Sequence, residues 1–198
     1  MIRARPYDRD VALDAALSLF WRKGYHATSL KDLEGALQMK PGSIYAAFDS
    51  KHALYLSVLE RYFLRSRGEL KALRERPGPI LQGLADHLRA VARREADDPA
   101  RSACMLVRTM LDATAGEAEL GARARGYLDA IRAEIEAAFR KAQENGELTK
   151  AQDPARLAQR YQSNMTALRI EAHRGLDDAA LIALAEEMAQ EVEALRPN

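Results

Sequence analysis

Apolar residues recur at helical spacing along nearly the whole chain, and this constrains the fold more than any other feature of the sequence. Glycine and proline steps divide the chain into segments, and no alternating run of β-branched residues reaches the length of a strand. The common residues are Ala, Leu, Arg and Glu, which are all good helix formers. With 198 residues, the chain has room for one large domain or two small ones. The pattern predicts an all-α protein with nine helices.

Helix boundaries are predicted from residue types that favour starts and stops. Gly24 and Pro77 indicate where the first and fourth helices end. The starts of the first four helices are indicated by Asp8, by Thr28 or Ser29, by Pro41 and by Ser50. Five further helices are predicted at about 80–97, 101–114, 117–144, 154–174 and 177–195.

The composition argues against several kinds of protein. The single cysteine, Cys104, rules out a disulfide framework and a multi-cysteine zinc site, and the four histidines have no metal-ligand spacing. No apolar run approaches the roughly 18 residues needed to cross a bilayer, and no signal peptide is recognisable. The sequence shows none of the clear patterns that indicate an enzyme, such as paired carboxylates, a Ser-His-Asp triad or a glycine-rich phosphate-binding loop. We therefore expect a cytoplasmic protein with no membrane partner, no enzymatic activity, no cofactor and no metal.

Charge is distributed unevenly along the chain, although the net charge is only +1. Residues 1–76 carry 14 Lys and Arg against 9 Asp and Glu, whereas residues 77–198 carry 16 against 20. A basic front favours contact with a polyanion, and an acidic rear does not.

Residues 28–51 carry the clearest functional pattern. Two short amphipathic helices are joined by a tight turn at about Gln38 to Lys40, which is the geometry of a helix-turn-helix. The second helix is expected to bury Ile44 and Phe48 and to present free backbone N–H groups, which favour phosphate, at its N-terminus. Its outer face carries small side chains that permit close approach to base edges. Such a helix fits the major groove of DNA.

Two runs of this region resemble the signature of the TetR-type (TetR/AcrR-like) transcriptional regulators. They are Gly42-Ser-Ile-Tyr-Ala-Ala-Phe-Asp-Ser-Lys-His-Ala-Leu54, around the recognition helix, and Phe20-Trp-Arg-Lys-Gly-Tyr-His-Ala-Thr-Ser29, in helix 1 and the turn after it. The resemblance covers residues 8–62 and is highly specific there. Farther along, the chain matches only in length, helix count and a closing 168–175 segment. One position departs from the pattern, because Gln38 stands where the family usually has glycine.

The resemblance implies a homodimeric DNA-binding regulator, and specifically a repressor that a small-molecule effector releases from its double-stranded DNA operator. Residues 1–52 would form the helix-turn-helix domain and residues 53–198 the effector-binding and dimerisation domain, with helix 4 (about 50–76) linking the two. Arg3 and Arg5 form a short basic arm suited to a DNA backbone or minor groove. The resemblance implies phosphate contacts by Thr28, Lys40, Ser43, Tyr45 and Lys51, and base-edge proximity for Pro41, Gly42 and Ala46.

The rear of the chain suits both dimerisation and effector binding. Dense apolar stripes in the last two helices, about 154–195, are predicted to pack against the same helices of a second copy as a four-helix bundle. An effector cavity is expected to combine apolar lining with a few polar anchors, and an arginine there suggests an anionic or carbonyl-bearing ligand. The predicted lining residues are Cys104, Arg108, Leu111, Tyr127, Tyr161, Met165 and Arg169.

Two other functions stay open at this point. Cys104 is an alternative sensor of oxidants or electrophiles, because the nearby Arg101 and Arg108 favour its thiolate. A helical protein-interaction adaptor would explain the amphipathic helices, although not the basic front or the recognition-helix pattern. Steep salt dependence of binding to duplex DNA distinguishes a DNA-binding protein from an adaptor or an enzyme.

Overall fold

The computed structural model describes residues 8–93 and 104–197. Within these ranges the chain forms nine α-helices and no strand, so the all-α prediction is confirmed. The basic arm predicted at Arg3 and Arg5 lies outside the described residues, and so does Arg101. A short 3₁₀-helix, Ala115–Glu117, precedes α7. The α-helices are α1 (Arg9–Lys23), α2 (Leu30–Leu37), α3 (Pro41–Phe48), α4 (Lys51–Glu75), α5 (Ile80–Ala92), α6 (Met105–Asp112), α7 (Ala118–Glu144), α8 (Pro154–His173) and α9 (Asp178–Glu193).

Side-chain caps start several helices at the predicted positions. Asp8 caps α1 and Ser50 caps α4, each through a side-chain oxygen that accepts hydrogen bonds from backbone N–H groups of the first turn. Ser29, rather than Thr28, caps α2. Its hydroxyl accepts from the backbone N–H of Asp32 at 3.2 Å, and the Asp32 carboxylate accepts from the backbone N–H of Ser29 at 2.8 Å. This reciprocal capping box fixes the start of α2.

The helices α5 and α6 end earlier than predicted. α5 ends at Ala92, and Arg93 has left the helical conformation, with φ −88° and ψ 0°. The predicted continuation over 94–97 lies outside the described residues. α6 ends at Asp112 rather than at 114, because Ala113 is extended and Thr114 begins the 3₁₀-helix with a capping box of its own. A periodic pattern of apolar residues does not reveal the two extended residues, Ala113 and Thr114, between these helical segments.

The long helix α4 contributes to the core of both the front and the rear of the molecule. It packs against α1 on one side and against α7 on another. Tyr55 meets Phe20 edge to face, with ring centroids 4.8 Å apart, and Tyr62 meets Trp21 in the same way at 4.8 Å. All four rings are buried in one continuous core cluster. A displacement of α4 therefore acts directly on α1.

An arginine on α5 holds α9 in place. The half-buried Arg89 donates from Nε to Glu186 at 2.7 Å and from Nη2 to the other oxygen of the same carboxylate at 2.8 Å. Its Nη1 donates to Glu193 at 2.7 Å. Bidentate pairing of a guanidinium with a carboxylate fixes geometry as well as charge. α9 is thus aligned on α5 by polar contacts beside its apolar ones.

Candidate nucleic-acid interface and effector cavity

The turn between α2 and α3 requires a left-handed residue, and Gln38 supplies it. Gln38 has φ 52° and ψ 38°. Its backbone N–H donates to the carbonyl of Glu34, and its side-chain amide donates to the carbonyl of Gly35 at 2.6 Å. Glycine adopts this conformation without the Cβ clash that other residues experience. The glutamine therefore keeps the turn geometry that the resemblance requires, at some cost in backbone strain.

The helix α3 is fixed on its inner side. Ile44 and Phe48 are buried in the core, as predicted from their spacing. Arg9, at the start of α1, donates from Nη1 to the carbonyl of Ala47 at 3.0 Å, and its guanidinium lies 4.9 Å from the ring centroid of Phe48. A cation over an aromatic face adds electrostatic attraction to the packing. α3 is held firmly enough to present its other face as a defined surface.

The outer face of α3 is open to solvent. No side chain caps its N-terminus. Pro41 has no N–H and the Ser43 N–H donates to the Lys40 carbonyl at 2.9 Å, so the Gly42 N–H and the positive end of the helix dipole are what α3 offers to an anion. Pro41 occupies the first helical position, as predicted, and is half-buried. The exposed residues of this face are Lys40, Gly42, Ser43, Tyr45 and Ala46.

Lys51 lies beside this surface at the start of α4. Its side chain is half-buried, and its Nζ lies 4.5 Å from the centroid of the Tyr25 ring. Burial lowers the pKa of the Lys51 ammonium from its ordinary value, and the charges of Glu117 and Asp32 oppose that shift. The ring positions the lysine, which restricts the directions in which its charge can reach a phosphate.

Thr28, a predicted phosphate contact, faces inward instead. Its side chain is buried, with 1% exposed, and its hydroxyl donates to the carbonyl of Gly24 at 2.7 Å. A threonine hydroxyl has a single hydrogen to donate, and here that hydrogen is already used. The side chain of Thr28 is therefore removed from the set of DNA contacts. It closes the turn between α1 and α2.

The rear half contains a small closed space, the inner chamber, with a volume of about 30 Å³. Three of the predicted effector residues, Cys104, Met165 and Arg169, line it together. The other lining residues come from α4, α5, α7 and α8 and are Ser66, Glu69, Leu70, His87, Leu128, Ile131, Gln162 and Thr166.

A short chain of polar contacts runs along the inner chamber. Arg169 donates from Nη1 to the hydroxyl of Tyr62 at 3.2 Å, and that hydroxyl donates to the Sγ of Cys104 at 3.3 Å. Burial raises the pKa of Tyr62 above its ordinary value, so the phenol stays protonated and donates. Among the described residues, the buried Nε of Arg169 has no hydrogen-bond partner.

A larger and more open space, the outer cleft, lies between α6, α7 and α8 and has a volume of about 590 Å³. It shares Leu128, Gln162 and Thr166 with the inner chamber. The side-chain amide of Gln162 donates to the carbonyl of Leu128 at 2.8 Å and forms part of the wall between the two spaces. The other lining residues of the cleft are Val107, Met110, Arg125, Asp129, Arg132, Gln159, Ser163, Ala167 and Ile170.

Two predicted effector residues on α6 belong to other parts of the surface. Arg108 donates to the backbone carbonyls of Trp21 and Lys23, each at 3.2 Å, and so joins α6 to the end of α1. Leu111 is 73% exposed. Neither residue lines the inner chamber or the outer cleft. The face of α6 that carries Arg108 packs against the end of α1. The spacing of apolar residues within one helix does not indicate which neighbouring helix a given face contacts.

Two predicted tyrosines also lie outside these two cavities. The ring of Tyr127 is stacked on Phe63, with centroids 4.4 Å apart. The buried hydroxyl of Tyr161 donates to the carbonyl of Leu84 at 2.9 Å and lies 2.8 Å from the Nδ1 of His87. Both tyrosines are engaged in packing and hydrogen bonding within the protein, and neither lines the chamber or the cleft.

The sequence analysis did not identify Gln162 and Thr166, the polar residues that line both cavities on the same helix as the predicted Arg169. Gln162, Thr166 and Arg169 lie at spacings of four and three residues, which places them along one face of α8. That spacing beside the predicted Met165 was the available signal. The opposing residues of α4 and α7 had no comparable pattern.

The described residues, 8–93 and 104–197, contain neither an obvious metal site nor a membrane-spanning helix. There, no group of three or more His, Cys, Asp and Glu side chains is arranged to hold a metal ion. None of the described helices has the length and apolar character needed to cross a bilayer.

Two segments of the chain match known families. Residues 12–58 match the family described as bacterial regulatory proteins, tetR family, and residues 78–192 match the Tetracyclin repressor-like, C-terminal domain. The chain belongs to the tetR family. The turn at Gln38 and the helix α3 lie within the first of these segments, residues 12–58. The residues that line the two cavities come from α4 to α8, and most of them lie within the second segment, residues 78–192.

Similar tetR-family proteins include named repressors. The HTH-type transcriptional repressor ComR of Escherichia coli (strain K12) is 43% identical over 94 residues, which cover 46% of this chain and 44% of that protein. The HTH-type transcriptional repressor BdcR of the same strain is 31% identical over 105 residues, or 53% of each protein. The chain thus spans about half the length of these curated relatives.

A solved structure shares the whole fold. It is a cysteine mutant of the TetR family transcriptional regulator CifR, complexed with 26-bp double-strand operator DNA. The TM-score is 0.82 at 27% identity, and the match covers 95% of this chain and 98% of that chain.

Proposed function

We propose that this protein is a sequence-specific DNA-binding transcriptional repressor that acts as a homodimer in the cytoplasm and is released from its operator by a small-molecule effector. The role is regulatory and not enzymatic. Residues 1–52 form the DNA-binding domain and residues 53–198 the effector-binding and dimerisation domain. The observation that carries this proposal is the exposed, uncapped outer face of α3 behind a helix-turn-helix geometry.

The exposed residues of α3 divide into two roles. Lys40, Ser43 and Tyr45, with Lys51 beside them, supply charges and hydroxyl donors that suit phosphate oxygens. Pro41, Gly42 and Ala46 would lie against the base edges, because their small side chains permit close approach to the bases. The names of ComR and BdcR as repressors, and the operator DNA bound to CifR, support a DNA-binding role for this protein.

Dimerisation is proposed through α8 and α9. Beside their buried residues, these helices carry half-buried apolar residues, including Leu157, Leu184 and Met188, which leave apolar area available to a partner. A dimer reads two half-sites that are one helical turn or a multiple of it apart, whereas one helix-turn-helix has little sequence readout by itself. Sedimentation velocity should give twice the 22.0 kDa of the single chain. A single species at the monomer mass would contradict the dimer.

Effector control is proposed to pass from the rear to the front through α4 and α6. α6 contacts the front through Arg108, and through the hydroxyl of Thr109, which lies 2.7 Å from the hydroxyl of Tyr55 on α4. An effector that favours one arrangement of these helices would tilt α4 and change the separation of the two α3 helices. Such coupling typically changes DNA affinity by about 1–3 kcal/mol.

Fluorescence anisotropy with duplex DNA tests the role of α3. Lys40→Ala should weaken binding to all sequences and reduce the slope of log affinity against log salt by about 1. Tyr45→Phe should weaken all sequences alike, whereas Ala46→Leu should change which sequence is preferred. The matched control is Lys150→Ala, which removes an exposed lysine far along the chain and should leave binding unchanged.

Equal DNA affinity for the wild-type protein, Lys40→Ala and Tyr45→Phe would contradict the interface. A change of base preference in Tyr45→Phe with unchanged overall affinity would mean that the two roles are assigned to the wrong residues.

A further inference from the structure

We propose that the effector is an apolar molecule with a single carboxylate group, that the carboxylate binds Arg169 at the inner chamber, and that the apolar part lies in the outer cleft. This rests on the proposed function, because it specifies the chemistry of the molecule that would control DNA binding. Three features of the molecule support it: a hydrogen-bond donor without an acceptor, the relative size of two adjacent spaces, and the charges that surround them.

Arg169 has a buried donor, its Nε, without an acceptor in the part of the chain that the structure describes. Its Nη1 donates to Tyr62, but its Nε is buried and has no partner among the described residues. The Sγ of Cys104 is a weak acceptor and already receives the Tyr62 hydroxyl. Glu69 also lines the chamber and forms an ion pair with Arg65 at 3.5 Å, and its charge raises the pKa of Arg169 without accepting from the Nε. A buried guanidinium N–H without an acceptor is unfavourable, and an oxyanion is the strongest acceptor for it.

The sizes of the two spaces decide which part of a ligand enters each. The inner chamber, at about 30 Å³, is a little larger than the roughly 10–15 Å³ that one water molecule needs. It can therefore take a head group only. The outer cleft, at about 590 Å³, lies in the range of small-molecule sites. Leu128, Gln162 and Thr166 line both spaces, so the hydrogen bond from Gln162 to the Leu128 carbonyl lies in the wall that a ligand in both spaces would have to open.

The lining of the cleft favours a ligand that has a large apolar part and a negative charge. Val107, Met110 and Ile170 give it apolar surface. Its charged residues are two arginines and one aspartate, and Arg132 already neutralises Asp129 through a contact of 2.9 Å. The remaining charge of the cleft is positive, which attracts a carboxylate and repels an amine.

Occupation of the chamber should be visible at the front of the molecule. Tyr62, which receives the Arg169 hydrogen bond, packs edge to face on Trp21 of α1 with centroids 4.8 Å apart. Trp21 is the single tryptophan of the chain. Its fluorescence therefore reports on the end of this contact chain without any label.

Isothermal calorimetry and Trp21 fluorescence test the proposal on the purified full chain without DNA. The probes are octanoate and naphthalene-2-carboxylate, each compared with its uncharged methyl ester. We expect the wild-type protein to bind at least one acid about 10- to 100-fold more tightly than its ester, which is the usual effect of a hydrogen bond to a charged group. Binding should change the Trp21 emission.

Two variants locate the acid. Arg169→Gln keeps hydrogen-bond donors but removes the charge, and it should weaken acid binding about 10- to 100-fold while leaving ester binding unchanged. The matched control is Arg160→Gln, on the same helix, whose guanidinium pairs with Glu191 at 3.7 Å outside both cavities. It should bind the acids as the wild-type protein does. Circular dichroism melts establish that each variant is folded.

The proposal is overturned if acid and ester bind the wild-type protein equally, which would mean that a water molecule satisfies Arg169. It is also overturned if neither acid binds, or if folded Arg169→Gln binds the acid as tightly as the wild-type protein. The comparison of acid with ester needs no variant. Since binding is measured without DNA, acid binding through Arg169 with unchanged operator affinity would support the ligand assignment and contradict effector release. A failure of the α3 tests would contradict only the proposed function.

Discussion

The guanidinium of Arg108 occupies the space that a Cβ atom would take at Gly24, where its Nη2 would lie only 2.6 Å from such an atom. The same guanidinium donates to the carbonyls of Trp21 and Lys23. The last turn of a helix leaves its carbonyls without intrahelical partners, and a cation there also complements the helix dipole. An arginine of α6 therefore completes the C-terminus of α1, and the missing side chain of Gly24 makes this possible.

Replacement of Gly24 should damage both the turn and this contact. Gly24 has φ 80° and ψ 170°, a region that residues other than glycine rarely enter. We expect Gly24→Ala to lower the free energy of unfolding by about 1–3 kcal/mol, measured by urea titration. The control is Gly35→Ala in α2, where a Cβ meets no atom within 4 Å and helix propensity should raise stability. Unchanged stability of Gly24→Ala would show that the contact is not constrained as described.

Glycine at position 38 should relieve the strain in the helix-turn-helix turn. Gln38→Gly removes the Cβ from a left-handed residue, and we expect the unfolding free energy to rise by up to about 1 kcal/mol. Gln38→Ala is the matched comparison, because it keeps the Cβ and removes the amide that donates to Gly35. It should be less stable than both. If Gln38→Gly is the least stable of the three, the glutamine side chain contributes more than its backbone conformation costs.

Substitutions of Thr28 and Ser43 should have opposite effects, one on the stability of the protein and the other on its affinity for DNA. Thr28→Val removes the buried hydroxyl at nearly constant volume and leaves the Gly24 carbonyl without its donor, so stability should fall by about 1 kcal/mol while DNA affinity stays unchanged. Ser43→Ala should do the reverse, because Ser43 is exposed on α3. A loss of DNA affinity in folded Thr28→Val would restore Thr28 to the interface.

The contacts of Arg89 should make stability depend on pH. Hydrogen bonds from Arg89 hold the pKa of Glu186 at about 2 and lower the pKa of Glu193. A carboxyl group whose pKa is depressed by folding stabilises the protein above its unfolded pKa, about 4.3, and loses this contribution as pH falls toward the folded value. Arg89→Met should therefore lower the melting temperature by a few degrees at neutral pH.

The difference between Arg89→Met and the wild-type protein should shrink as pH falls from about 4.3 toward 2. Arg140→Met is the control, because Arg140 forms an exposed pair with Glu136 within α7, which is expected to contribute less. A difference that persists unchanged at low pH would mean that Arg89 stabilises α9 by packing alone.

The parts of the fold that depend on neighbours in sequence were predictable. Asp8, Pro41 and Ser50 act within one helical turn, so residue type and position suffice to place the starts of α1, α3 and α4. The buried and exposed faces of α3 followed in the same way from the spacing of Ile44 and Phe48. The outward position of the recognition helix was predictable for this reason.

The effector cavity depends on contacts between distant helices, and periodicity does not specify which helix covers a face. Cys104, Met165 and Arg169 do meet in the inner chamber. Arg108, however, lies in the same short helix that Cys104 begins and turns to α1 instead. The burial of Thr28 could not be predicted from the sequence either, because its hydrogen bond to the Gly24 carbonyl requires a backbone conformation that residue types alone do not indicate.

Selection of duplex DNA from a random-sequence library by the purified protein, sequenced after washes at two salt concentrations, tests the central claim most directly. We expect the selection to recover one palindromic sequence whose half-sites are a helical turn or a multiple of it apart, and this DNA should stay bound at the higher salt concentration. The Ala46→Leu variant should recover a different sequence or none. Recovery of DNA without sequence preference, released entirely at the higher salt, would contradict the assignment of α3 as the helix that reads an operator.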